Sequence, residues 1–170
     1  MPILLMVLML CTAPSAHAAI VDFSISLDVA QATTAQPGAS GSGSGMATLD
    51  TATNLFSWNF SYSGLAGTET MAHFHLGAPG VPGGVEHGLP GGSPKIGNAT
   101  VTGIQAADIL AELWYANIHT TNSSGGEIRG QVVQVGGSVP LLPVWALGLL
   151  ALLLLSSSAW LLRRRVLVNS

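Results

Sequence analysis

The chain of 170 residues carries five Lys and Arg against eight Asp and Glu, a formal net charge of −3, and a single cysteine. All eight acids lie between residues 20 and 139 with only Lys95 and Arg129 beside them, two cations against eight anions and a net of −6, which argues against nucleic-acid binding because phosphate contacts need clustered cations. The positive mean hydropathy of +0.51 comes from the two ends; the ~120 residues between them suffice for one domain with one core, and Cys11, in the leading apolar segment, leaves that domain without a disulfide.

Residues 1–18 read as a signal peptide: an apolar run from Ile3 to Cys11 is followed by Ala16-His17-Ala18, the small-x-small pattern at which signal peptidase cuts. Ile20 to Ala30 then alternates Val21, Phe23, Ile25, Leu27 and Val29 against Asp22, Ser24, Ser26 and Asp28, the period of a half-buried strand. Gln31 to Gly45 is Thr, Ser, Gly and Ala with one proline and reads as a loop. A second strand starts at Met46, turns through Asp50 to Asn54, and returns from Leu55 to Ser63 with Phe56, Trp58, Phe60 and Tyr62 in one register. Thr68 to Leu76 is the next strand, with Ala72, Phe74 and Leu76 on one face and His73 and His75 on the other.

Gly77 to Pro94, dense in glycine and proline, reads as an unstructured loop, and a loop of that length is uncommon unless functional. Lys95 to Val101 is a strand, and Gln105 to Glu112 is one or two helical turns. A closing hairpin follows. Trp114, Ala116 and Ile118 share a face with Ile128 and Val132, while Tyr115, Asn117 and His119 share the opposite face with Glu127, Arg129 and Gln131. The expected fold is all-β: a single Greek-key or immunoglobulin-like β-sandwich of about seven strands with one short helix, occupying residues 19–136.

Residues 137–140 form a linker into the run from Leu141 to Leu162, which carries no charge and, as a helix, spans roughly 33 Å, enough for the ~30 Å hydrocarbon core. Arg163-Arg164-Arg165 opens a basic tail, residues 163–170, on the cytoplasmic side, which puts the domain outside.

The middle of the chain resembles the CHRD family of extracellular domains. The resemblance rests on Leu65 after Tyr62-Ser63-Gly64, on Ala72-His73-Phe74-His75, on the Gly-Pro loop, and above all on Tyr115-Ala116-Asn117-Ile118-His119-Thr120 with Gly125-Gly126-Glu127-Ile128-Arg129-Gly130-Gln131. It implies a β-sandwich in a secreted or surface protein with no established enzymatic role. The tail, with Val139-Pro140-Leu141-Leu142-Pro143-Val144-Trp145 before its helix, resembles the bacterial C-terminal sorting signals of the PEP-CTERM and IPTL-CTERM classes, which implies a sorting protease as a partner.

His73-x-His75 sets two imidazoles about 7 Å apart at Cβ on one strand face, a spacing suited to copper or zinc, and His119 and His87 are the candidates to complete a site. Their order is similar to that of copper-zinc superoxide dismutase, though the disulfide and the remaining metal ligands of that enzyme have no counterpart. The competing reading is structural: the histidines hydrogen-bond to backbone and to Glu127 or Asn117 and hold the long loop against the hairpin. Glu127 and Arg129, too close in sequence to pair with each other, are expected to meet charges on neighbouring strands. No nucleophile elbow or paired carboxylates stand out. The expectation is therefore a non-enzymatic exported envelope or matrix protein without a cofactor, binding an extracellular protein or polysaccharide and anchored or sorted by its C-terminal helix. The alternative is a copper- or zinc-binding or redox domain.

Overall fold

The structure, a computed structural model, describes residues 19–136. The signal peptide, linker, membrane helix and basic tail expected at 1–18, 137–140, 141–162 and 163–170 lie outside the described residues. Among the described residues no helix is long and apolar enough to cross a membrane.

Eight strands and one helix follow in the order β1 (Ile20–Asp28), β2 (Ser42–Asp50), β3 (Leu55–Ser63), β4 (Glu69–Leu76), β5 (Val85–Gly88), β6 (Lys95–Thr100), α1 (Gly103–Leu110), β7 (Trp114–Thr120) and β8 (Ile128–Gln134). They form one antiparallel sheet, ordered β5-β4-β7-β8-β1-β2-β3-β6. Near its two ends β4 and β3 are far apart in that order, yet the Phe74 ring lies 5.4 Å from Phe56, 5.3 Å from Trp58 and 6.2 Å from Phe60. The sheet therefore curls onto itself as a half-barrel and closes over one aromatic core.

The expected all-β, sandwich-like arrangement with one short helix is present, but with eight strands rather than about seven and with its two facing halves belonging to one sheet. β8 pairs with β1 through Ile25–Val132 and Phe23–Gln134, so the two halves are one hydrogen-bonded sheet with no break between them. The eighth strand, β5, lies inside the expected loop from Gly77 to Pro94 and pairs with β4 at His73–Gly88 and Phe74–His87. Its four residues are too few for periodicity to reveal, and only the free edge of β4 makes them a strand.

Apolar alternation set the inner face elsewhere. Phe23, Ile25 and Leu27 on β1, Phe56, Trp58 and Phe60 on β3, and Ala72 and Phe74 on β4 are all buried. The helix begins two residues earlier than expected because Thr102 caps it: its hydroxyl accepts from the Gln105 N–H while the Gln105 side chain accepts from the Thr102 N–H. Ala106 and Ile109 join the core.

The Gly-Ser run expected to be loop is in fact the first half of β2, with Gly43 and Gly45 paired to Tyr62 and Phe60. A Cβ at Gly45 would collide with the Asn59 carbonyl and the Phe60 backbone. Glycine here permits a close strand approach rather than a turn.

Candidate metal centre

All seven residues of β7 are buried, so the outer face of this antiparallel sheet is also covered. The cover comes from the segments after β1 and after β4. Register builds the polar layer beneath: His75 opposes Tyr115 and His73 opposes Asn117 across β4–β7, and Tyr115 opposes Gln131 and Asn117 opposes Arg129 across β7–β8. The hairpin thus pairs directly, as the alternation required.

Arg129, 2% exposed, straps the Gly-Pro loop down. Its guanidinium donates to the carbonyls of Ala78 (2.7 Å) and Val81 (2.9 Å) and sits 3.4 Å from the centroid of the Tyr115 ring. Burial lowers its pKa from the usual guanidinium range, while Tyr115 acts in the opposite direction. Glu127, with no exposed surface, accepts from the N–H groups of Ser40 (3.0 Å), Ala66 (2.6 Å) and Gly67 (3.2 Å) and from the Thr120 hydroxyl (2.6 Å). Burial pushes its carboxyl pKa up, and these donors outweigh that and hold it below the usual range. The expectation that Glu127 and Arg129 meet opposite charges is therefore corrected: Glu127 is held by backbone N–H groups and a hydroxyl, and Arg129 by backbone carbonyls and the Gln131 amide oxygen. Both are spent on fastening loops.

Glu69 is the carboxylate that does meet a cation. Fully buried Lys95 donates to it and to the Pro90 carbonyl, the Tyr62 hydroxyl donates to it, and the Gly92 N–H reaches it at 2.7 Å. Burial and the adjoining Glu69 charge push the Tyr62 phenol well up.

On this face His73, His75 and His119 come together, with one ring nitrogen of each lying within 4.8 Å of the others. Their rings form a nearly equilateral triangle with centroids 5.5, 5.2 and 5.5 Å apart. His75 Nδ1 faces the Gly83 carbonyl at 3.0 Å and His119 Nδ1 faces the Ser124 carbonyl at 2.8 Å. A carbonyl oxygen only accepts, so each Nδ1 carries the proton and each Nε2 presents a lone pair. Those two Nε2 atoms face each other at 3.4 Å. His73 Nδ1 is buried with no hydrogen-bond partner. Burial lowers the pKa of His73, with the nearby His119 adding to it; burial also lowers that of His75, against an opposing hydrogen bond to Gly83, so both rings favour the neutral form.

His87 does not belong to the cluster. It pairs with Phe74, shares that residue's inward face, and sits 5.2 Å from Trp58. The expected hydrogen bonds of the histidines to backbone are present, and Asn117 Nδ2 lies 3.4 Å from His119 Nε2; Glu127 has other partners. Met71 lies directly opposite His119 and, by the same period of two, on the histidine face. The Gly83 and Ser124 carbonyls had no sequence signal, since backbone acceptors are defined only by how a loop closes.

The donor set, three neutral imidazoles oriented by carbonyl acceptors, has the composition of a transition-metal site. A family profile described as CHRD domain matches residues 23–132. No curated protein and no solved structure gives a match.

Proposed function

The chain belongs to the CHRD domain family, and on that premise we propose that it works outside the cell as a non-enzymatic binding module of the envelope or matrix, delivered by residues 1–18 and anchored or sorted through residues 141–162. The family supports an extracellular domain; the reading of what it binds rests on one surface. The outer face of β1, β2, β3 and β6 is nearly flat in register, with β1–β2 and β2–β3 each paired without a shift over the length of the strands. Across it run rows of uncharged side chains, most of them small and polar: Ser26–Ser44–Ser61, Thr48–Ser57–Asn98, and Ser24–Met46–Asn59–Ile96. Its carboxylates, Asp22, Asp28 and Asp50, stand at the rows' margins.

Hydroxyls and amides at strand spacing, interrupted by the exposed apolar side chains Met46 and Ile96, match a neutral polysaccharide, whose hydroxyls need both donors and acceptors and whose ring faces need apolar contact. A protein is the other partner such a face would accept. The carboxylates with perturbed pKa on the opposite half, Glu127 and Glu69, are occupied by structural donors, which supports binding over acid–base chemistry.

The test is retention of the full chain on insoluble neutral glucans, with affinity electrophoresis in soluble ones. Asn59→Lys, at an exposed mid-strand position, should abolish retention while leaving the Tm unchanged. Retention by no neutral glucan, or retention that survives Asn59→Lys, would overturn the polysaccharide reading.

A further inference from the structure

A purely structural role accounts for half of the imidazole cluster. The Nδ1 bonds to Gly83 and Ser124 fasten two loops, yet they require neither a second bare nitrogen opposite the first nor a third ring whose buried Nδ1 bonds nothing. Two lone pairs at 3.4 Å repel unless a cation lies between them, and the Asn117 amide, which also donates to the Gly125 carbonyl, reaches the His119 nitrogen but not that of His75. In tetrahedral coordination with metal–nitrogen bonds of about 2.0–2.1 Å, neighbouring ligands lie roughly 3.3–3.4 Å apart. The His75–His119 pair already has that spacing.

We propose that His73, His75 and His119 bind a single copper(I) ion and that the Met71 thioether offers a fourth, soft ligand. The ring nitrogens, all within 4.8 Å of one another, must draw together by up to roughly 1.4 Å to share one ion. His73 is the ring free to supply that movement, being half-buried and untethered at Nδ1.

The choice of metal follows from the surroundings. The carboxylates of Glu127 and Glu69, which hard cations would need, are engaged elsewhere. Met71 stands opposite His119, is 54% exposed, and lines with His73 a cleft of about 280 Å³, so the cleft reaches one of the three rings. A thioether selects copper(I) over zinc, and its unbranched chain adapts to reach an ion. Arg129 lies on the far side of Tyr115, which stacks on His75 with centroids 5.1 Å apart. That fixed positive charge penalises a monovalent ion less than a divalent one.

The experiment titrates the metal-free full chain with Cu(I) against a chromophoric Cu(I) chelator under reducing conditions, and with Zn(II) against a zinc indicator. The expected result is one Cu(I) per chain, a Tm raised by copper, binding weakened roughly 100-fold in His73→Gln and roughly 10-fold in Met71→Leu, and Zn(II) affinity unmoved by Met71→Leu. Both substitutions are at incompletely buried positions, and their metal-free Tm reports folding separately. Substoichiometric binding, Cu(I) affinity unchanged in a folded His73→Gln, or Met71→Leu affecting both metals alike would overturn the proposal.

Discussion

Four donors converge on the Glu127 carboxylate, two of them from the segment between β3 and β4, one from the loop before β2 and one from the end of β7. Their hydrogen bonds outweigh the loss of water and keep the group ionised, whereas at His73 and His75 the loss of water prevails and lowers both pKa values from 6.5. These shifts set how stability depends on pH. A histidine that holds fewer protons folded than unfolded contributes stability that is complete above its unfolded pKa of 6.5 and is lost as pH falls from there toward the folded value. Glu127 and Glu69, lowered from 4.5, add a second loss below that value. The urea midpoint of the metal-free chain should therefore be level from about pH 8 to 7, fall as the pH drops below about 6.5, and fall again below about 4.5. His73→Gln should shrink the upper step and spare the lower one. A midpoint level from about pH 8 to 5 would contradict the assignment of these rings as neutral and buried.

Among the elements, the Gly-Pro loop shows how a segment with little apolar content is ordered. Polar fasteners do the work: Ala78 and Val81 carbonyls on Arg129, the Gly77 carbonyl on the Gln131 amide at 2.9 Å, the Gly83 carbonyl on His75, and the Gly83 N–H on the Tyr115 hydroxyl at 3.0 Å. Glycine is needed at position 83 because a Cβ there would overlap the Leu76 carbonyl. Gly83→Ala should lift the loop locally, breaking the bond from the Leu76 N–H to the Gly84 carbonyl. Hydrogen exchange is the readout: Leu76 should exchange at least about tenfold faster while Ile25 on β1 stays protected. Equal acceleration at both would mean that the loop is integral to the global fold. The loop's importance was legible in its length and composition, but its fasteners were not, because backbone carbonyls have no sequence signature.

At the scale of the molecule, Phe74 joins the two ends of the curled sheet, its ring meeting Phe56, Trp58 and Phe60 from β3 and lying 5.8 Å from Trp114 of β7. Phe74→Ala should cost about 3–5 kcal/mol, and tryptophan fluorescence and backbone circular dichroism should lose their signals at one common, lowered urea midpoint. Separate midpoints would mean that the halves unfold independently. The period of two in Val21 to Val29, Phe56 to Tyr62, Ala72 to Leu76 and Trp114 to Ile118 determined, with no structure in hand, that the domain is all-β, which residues form its core, and that His73, His75 and His119 share a face. Those are consequences of local geometry, since successive side chains of a strand must point to opposite sides. Only the tertiary structure decided that one sheet curls rather than two stack, that Val85–Gly88 completes it, that His87 turns inward to Trp58, and that Glu127 and Arg129 are met by backbone rather than by charge. Each of these depends on which strand edges and loop carbonyls meet across long sequence separations, and the alternation of a single strand carries no information about that.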